Sequence, residues 1–347
     1  MFYIHQSTCI SPQQTFGSID LVQLKESTDN KLYAIEPVYM GISPGLIRRM
    51  GKAVRMGVGS ALPLLQQHKT DGIIIGTANG GIEDSLKFLS QIMEYDEGTL
   101  TPTNFVQSTY NAIAGQLGMI TKNTGYNSTH VHRGQAFENV MIDADMMLAE
   151  NPDNSYLIGA VDEISERNHR MERMDGWYKS EPVLNAGLYD TKTAGTLPGE
   201  GAAMFIASNN NNGAVAKLVA VRTINTDDVD LVTAQLNVFL EDNKLQSSNI
   251  DLLLSGENGD IRLKKYYDAC EQLFADTTTV ARYKHTTGEF QTSTALAVWI
   301  TCQLLQMGSM PEHFIKTGST DTAHVQHVLI YNNYKGNQHS FILLERV

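Results

Sequence analysis

The chain has 347 residues, 42% hydrophobic and 18% charged, with a formal net charge of −12. That is an ordinary soluble globular protein with room for a large core, long for one domain. The acidity argues against nucleic acid as a partner, since phosphate binding needs concentrated Lys and Arg. No run approaches the roughly 18 apolar residues of a membrane span. The opening MFYIHQSTCISPQQ lacks the basic and apolar regions of a signal peptide. Cys9, Cys270 and Cys302 are too few and scattered for a disulfide framework or a zinc site, and read as packed free thiols in a reducing cytoplasm.

Residues 2–7 predict a short first strand. Residues 43–67 predict a helix: Ser43 and Pro44 supply an N-cap and an N1 proline, and apolar residues recur at Leu46, Met50, Val54, Val58 and Leu62. DGIIIG at 71–76 is a continuous apolar strand of the fully buried kind. It runs into the corner 77–81 and a helix to residue 92. The pair Gly80-Gly81 invites a phosphate-loop reading. The chain has neither G-x-x-x-x-G-K-[ST] nor a full G-x-G-x-x-G there, so close packing of strand on helix is the better account. Residues 104–120 predict a small-residue helix crowded against a neighbour.

The stretch 124–145, TGYNSTHVHRGQAFENVMIDAD, is the focus of the chain. A segment of weak strand propensity leads to Thr129, a tight polar corner spans 130–134, and a helix runs on from Ala136. Such a corner places one reactive side chain at a helix N-terminus, where peptide N–H groups stabilise an anion. In an acyl-transfer enzyme it would carry a Ser or Cys nucleophile. His130-Val131-His132-Arg133-Gly134 contains neither.

Residues 156–161 predict another buried strand, and the polar, irregular 162–196 a covering excursion. Residues 199–208 form a strand, 209–213 an asparagine-rich turn, and 214–221 the partner strand. The opening order then repeats, with a helix at 227–242, a strand at 251–254, a glycine corner at 255–260 and a helix at 261–274. A helix at 291–306 and strands at 325–331 and 340–344, around the turn 332–337, close the chain. Alternating strands and helices imply an α/β fold with a parallel-rich sheet. The repeated order suggests two related βαβ halves, 1–212 with its covering excursion and 213–347.

In order and spacing, LIRRMGKAVRMG, IIIGTANGG, TPTNFVQSTYNAIAG, GAVDE, PGEGAAMF, KHTTGE and YNNYKGNQHSFILLE resemble the β-ketoacyl synthase family, condensing enzymes of the thiolase fold. The resemblance runs nearly end to end. The Ile10-Ser11-Pro12 opening and TPTNFVQST are similar to the branch of aryl-polyene, flexirubin and related pathways. The resemblance implies a thiolase-like fold, two related βαβ halves packed as a layered α-β-α-β-α unit, without a cofactor or metal. Its chemistry is decarboxylative Claisen condensation by a Cys at a helix N-terminus, with two His and a supporting Lys.

Carried over by position, that set is mostly broken. Aligned on Gly134, the Cys position falls at Val131; aligned on Asp143-Ala144, it falls closer to Gly134. The family's His-Gly-Thr corresponds to Ser255-Gly256-Glu257-Asn258-Gly259, which loses a His near Glu257. Its Lys-x-x-x-Gly-His corresponds to Lys284 through Glu289, which keeps the Lys and replaces the His by Glu289. The turn with Asn333, Tyr334 and Gly336 resembles the family's gating loop, with Tyr334 for its Phe and Lys335 for a glycine.

From the residues themselves, His130 and His132 share a face of an extended segment. With Glu257 or Glu289 they are candidates for a metal site or an acid/base pair; a hydrogen-bonded polar cluster is the commoner outcome of such a set. Arg48, Arg49, Lys52 and Arg55 are either a solvated helix face or a dock for an acyl carrier protein, Arg48 and Arg49 falling at the family's carrier-contacting positions. A retained frame with a missing Cys and missing His implies a chain-length-factor-like partner of an active ketosynthase in fatty-acid or polyene synthesis, inactive alone. The alternatives are an acyltransferase with rewired residues acting on carrier-bound thioesters, and a homodimer that binds acyl chains or carrier proteins.

Overall fold

The computed structural model describes residues 1–96, 98, 100, 102–274 and 277–347; Thr101, the first residue of the TPTNFVQST segment, lies outside them. The first half runs β1 (Phe2–Ile10), α1 (Pro44–Ile47), α2 (Lys52–Gln67), β2 (Gly72–Gly76), α3 (Ile82–Glu94), α4 (Pro102–Gln107), α5 (Ala112–Thr121), β3 (Tyr126–His130), α6 (Ala136–Glu150), β4 (Ser155–Asp162), α7 (Glu166–Met174) and β5 (Gly201–Ser208). The second runs β6 (Ala216–Asn225), α8 (Val229–Asp242), β7 (Leu252–Ser255), α9 (Lys264–Glu271), β8 (Thr279–Arg282), α10 (Lys284–Thr287), α11 (Ser293–Met307), β9 (Ile315–Thr317), β10 (His327–Tyr334) and β11 (Gln338–Arg346).

The strands form one sheet in the order β3-β2-β4-β5-β1-β6-β11-β10-β7-β8-β9. Counted within its own half, the first part reads 3-2-4-5-1. The second, with β9 set aside and β6 counted first, reads the same from its outer end. Strand directions repeat as well. β2 is parallel to β3 and β4, as β7 is to β8 and β10. β5 is antiparallel to β4 and β1, as β11 is to β10 and β6. The halves meet where β1 pairs with β6 at Phe2–Leu218, Tyr3–Lys217 and Ile4–Ala216.

Burial follows from this layering. Ile74 of β2 joins Phe137 and Val140 of α6 and Trp299 of α11 in a central core, while Ile73 and Ile75 face Val58 of α2 and Ile113 of α5. Both faces of β2 are covered, so its sequence has no polar alternation. In the second half α8 and α9 cover the outer face through Leu236 and Tyr267, against Leu253 and Leu343. α11 is buried from Ser293 to Leu305, as a helix apolar all round must be. α2 and α5 thus cover the outer face of the first half of the sheet, α8 and α9 that of the second, and α6 and α11 share the core between them, in keeping with the thiolase-like layering that the motifs implied. Among the described residues no helix is long and apolar enough to cross a membrane.

Several elements differ from the sequence expectation, each for a tertiary reason. The helix at 43–67 is two helices. Ser43 caps α1, its Oγ accepting the Leu46 N–H at 3.3 Å, but α2 restarts after Gly51. The Gly51 N–H donates to Gln107 Oε1 at 2.8 Å, and a Cβ there would meet Asp84 Oδ2 at 2.1 Å. The helix at 104–120 likewise divides into α4 and α5. The excursion 162–196 is not irregular throughout, since it holds α7. β6 is not the partner of β5: β5 has β4 on one edge and β1 on the other, so the asparagine turn carries the chain past β1 to β11. β8 and β9, of four and three residues, are too short to show a sequence period.

Candidate functional site

β3 is an outer strand of the sheet and delivers the chain to the corner before α6. There Arg133 takes φ 49°, the left-handed region that a bulky side chain rarely adopts. The two sequence registers put the nucleophile position at Val131 or near Gly134; the strained residue is the arginine between them. Gly134 is required by close approach, since a Cβ on it would stand 2.4 Å from that of Tyr334. Its N–H, the kind of donor that stabilises an oxyanion, already donates to Gln338 Oε1 at 3.0 Å. Val131, His132 and Arg133 are exposed and line an open cleft of about 780 Å³ with Asn79, Tyr334 and Lys335.

No thiol reaches this corner. Cys9 lies in β1, Cys270 in α9 and Cys302 in α11, all buried. Burial pushes each thiol up to about 12, which leaves no thiolate to attack an acyl group.

Behind Tyr334 lies a closed polar cluster. Lys284 Nζ donates to Glu289 Oε1 at 2.7 Å and to Ser293 Oγ at 2.6 Å. Asn258 Nδ2 donates to Glu289 Oε2 at 2.8 Å. Burial pulls the Lys284 ammonium below its ordinary range, opposed by the adjacent Glu289 carboxylate. The space beside Asn258, Glu289 and Tyr334 is only about 20 Å³, room for about one water. Glu257 is not part of this cluster: it turns outward to Lys316 at 2.7 Å and Arg282 at 3.6 Å. Asn258, one residue on, is the side chain that faces Glu289.

The His/Glu set is not assembled either. His130 Nε2 pairs with Asp143 Oδ2 at 2.7 Å, and the Tyr126 hydroxyl shares that carboxylate. His132 stands in the open cleft. Among the described residues no three His, Cys, Asp or Glu side chains are grouped to hold a metal ion. The Gly80-Gly81 corner is no phosphate cradle, because Asp162 Oδ1 accepts the Ala78 and Asn79 N–H groups at 2.9 and 2.7 Å.

Sequence reasoning missed Glu138. It lies in the first turn of α6, where an exposed dipole partner is the usual reading, yet it is fully buried. Ser340 Oγ of β11 donates to its Oε1 at 2.7 Å, and burial raises its carboxyl to about 7.

The turn between β10 and β11 is latched. Lys335 adopts φ 55° and Gly336 φ 77°, and the Gly336 N–H donates to Asn333 Oδ1 at 2.7 Å. Lys335 Nζ pairs with Glu172 of α7 at 2.8 Å and lies 5.0 Å from the Trp177 ring centroid. Arg262 stacks on Trp177 at 4.4 Å. The basic segment is also partly committed: Lys52 pairs with buried Glu200, and Arg55 grips Glu36 through Nε and Nη2 at 2.5 and 2.7 Å. Arg48 and Arg49 remain exposed.

The layered α/β frame is a ketosynthase-like fold. The family model described as the β-ketoacyl synthase N-terminal domain matches residues 28–183, which bears out the resemblance carried by the motifs. The whole chain is similar in fold to a β-ketoacyl synthase from Burkholderia phymatum STM815, at 14% identity and TM-score 0.79 over 100% of this chain and 99% of that one. It is similar to a ketosynthase in complex with its chain length factor from Xenorhabdus doucetiae, at 11% identity and TM-score 0.76 over 100% and 98%. A type II polyketide synthase ketosynthase structure, in complex with its acyl-carrier protein and bound to the hexaketide, matches at 12% identity and TM-score 0.77 over 100% and 99%. No curated protein matches in sequence.

Proposed function

We propose that this chain is a non-catalytic ketosynthase-like subunit. It acts as a chain-length-factor-like partner of an active ketosynthase on acyl chains held by a carrier protein, in fatty-acid, polyketide or polyene synthesis in the cytoplasm. One observation carries the reading: Arg133 holds the strained corner between Val131 and Gly134, the two positions at which the resemblance puts a condensing enzyme's thiol. Asn258 and Glu289, tied to Lys284, fill the pocket behind it where imidazoles would polarise the enolate oxygen. A carboxylate there opposes the negative charge that decarboxylation develops.

Several features support a partner. β3 is an open edge strand, and Phe105, Val106, Tyr110 and Tyr126 are exposed large hydrophobics on and before it; an open edge and an apolar face suit pairing with a second chain. The dock for an acidic carrier rests on Arg48 and Arg49, because Lys52 and Arg55 are held by internal carboxylates. We assign the two halves to residues 1–212 and 213–347, on the repeated strand order. The test is co-expression with candidate ketosynthases, followed by native mass measurement and assay with malonyl- and acyl-carrier protein. A 1:1 heterodimer is expected, active only through the partner's thiol. Condensation by the purified chain alone, or a self-sufficient homodimer indifferent to every ketosynthase, overturns the reading.

A further inference from the structure

We infer that the open cleft in front of Tyr334 is a binding site for a small polar anion, with Arg133 as its anchor. The ligand is a molecule that carries a carboxylate or phosphate oxyanion. Its lining is largely polar: carboxamides at Asn79, Asn225, Gln291 and Gln338 stand beside Arg133 and Lys335. Its volume of about 780 Å³ lies within the usual range of roughly 300–1,000 Å³ for small-molecule sites.

Charge in the cleft runs against the charge of the chain. Glu172 is the carboxylate of the lining, and Lys335 neutralises it at 2.8 Å. Arg133 and His132 are left over, in a protein of net charge −12. Among the described residues neither side chain has a hydrogen-bond or ion-pair partner. Arg262, by contrast, is engaged: it holds Asp260 at 2.6 Å and stacks on Trp177.

An arginine in a left-handed conformation is disfavoured by roughly 1–2 kcal/mol, and its guanidinium gains nothing back from the protein. The fork of N–H donors is therefore presented to solvent in a concave, amide-lined surface. That arrangement matches the planar, two-oxygen geometry shared by carboxylates and phosphates. Gln338, already fixed by the Gly134 N–H, offers a positioned carboxamide close by.

The experiment uses the full chain without partner or carrier protein, so it stands or falls independently of the proposed partnership. Inorganic phosphate and malonate are titrated by calorimetry at constant ionic strength, with chloride as the reference. Saturable binding of one or both is expected, phosphate alone indicating a phosphate ester and malonate alone a carboxylate. Arg133→Ala weakens it by roughly 10- to 100-fold, the range for loss of a charged hydrogen-bonding partner. Arg133→Lys gives an intermediate loss, and exposed Lys192→Ala is unchanged. Binding no stronger than chloride, or equal affinity in Arg133→Ala, overturns the assignment.

Discussion

Lys284→Met tests whether the interior cluster is a charge-compensated structural unit. Lys284 is fully buried, and Glu289 is only 6% exposed. Without the ammonium, Glu289 keeps Asn258 on one oxygen but loses the cation on the other, and Ser293 Oγ loses its donor. Breaking one side of a buried pair costs about 3–5 kcal/mol, because the remaining charge is stranded in a low-dielectric interior. Removing both charges at once is far milder. In Lys284→Met/Glu289→Gln the amide oxygen still accepts from Asn258, so the double variant should recover about 2 kcal/mol or more of that loss. Urea unfolding at unchanged m-value measures both numbers. A single-variant cost below about 1 kcal/mol, or a double variant no more stable than the single, would refute the reasoning.

Burial holds the Glu138 carboxyl near 7, against an ordinary 4.5. Its contribution is therefore intact below about pH 4.5 and lost as pH rises through 7, where the folded chain must give up a proton that the unfolded chain has already released. Glu138→Gln should stabilise the protein by up to about 3 kcal/mol near pH 8 and by little near pH 4.5; an equal gain at both would contradict this. The three thiols, buried and pushed up to about 12, should resist iodoacetamide in the native protein and all react in urea, as judged by intact mass. Arg133→Gly removes a left-handed penalty and should raise stability by up to about 1 kcal/mol, whereas Arg133→Ala should not; thermal melts compare them.

Elements whose fate depends on their own residues were legible. DGIIIG and YLIGAV are buried strands because both faces of the sheet are covered, and the helix from Ala136 begins where expected. Breaks imposed by distant neighbours were not. Nothing near Gly51 in sequence announces that Asp84 of α3 will leave no room for a Cβ, or that Gln107 of α4 will take its N–H. The hairpin expected across 209–213 failed for the same reason, since adjacency in sequence cannot reveal that β1 already holds that edge of β5.

The site divides in the same way. Lys284 and Glu289 were readable because they sit on one short segment at a fixed spacing. In the glycine corner a single residue decides which side chain points inward, and Asn258 won over Glu257 because Lys316 and Arg282 draw the carboxylate outward. A catalytic pocket that merely lost its chemistry would leave orphaned donors and acceptors, each costing free energy. Here the Gly134 N–H has Gln338, Asn258 has Glu289, and Glu289 has Lys284. Gaps remain around this set: Glu138 Oε2, Arg282 Nε, Thr294 Oγ1 and Asn333 Nδ2 are buried without a hydrogen-bond partner among the described residues. Under the proposed function, these mutually satisfied groups stand where the resemblance puts a thiol and two imidazoles, as a chain kept for its folded surface and its partners would require.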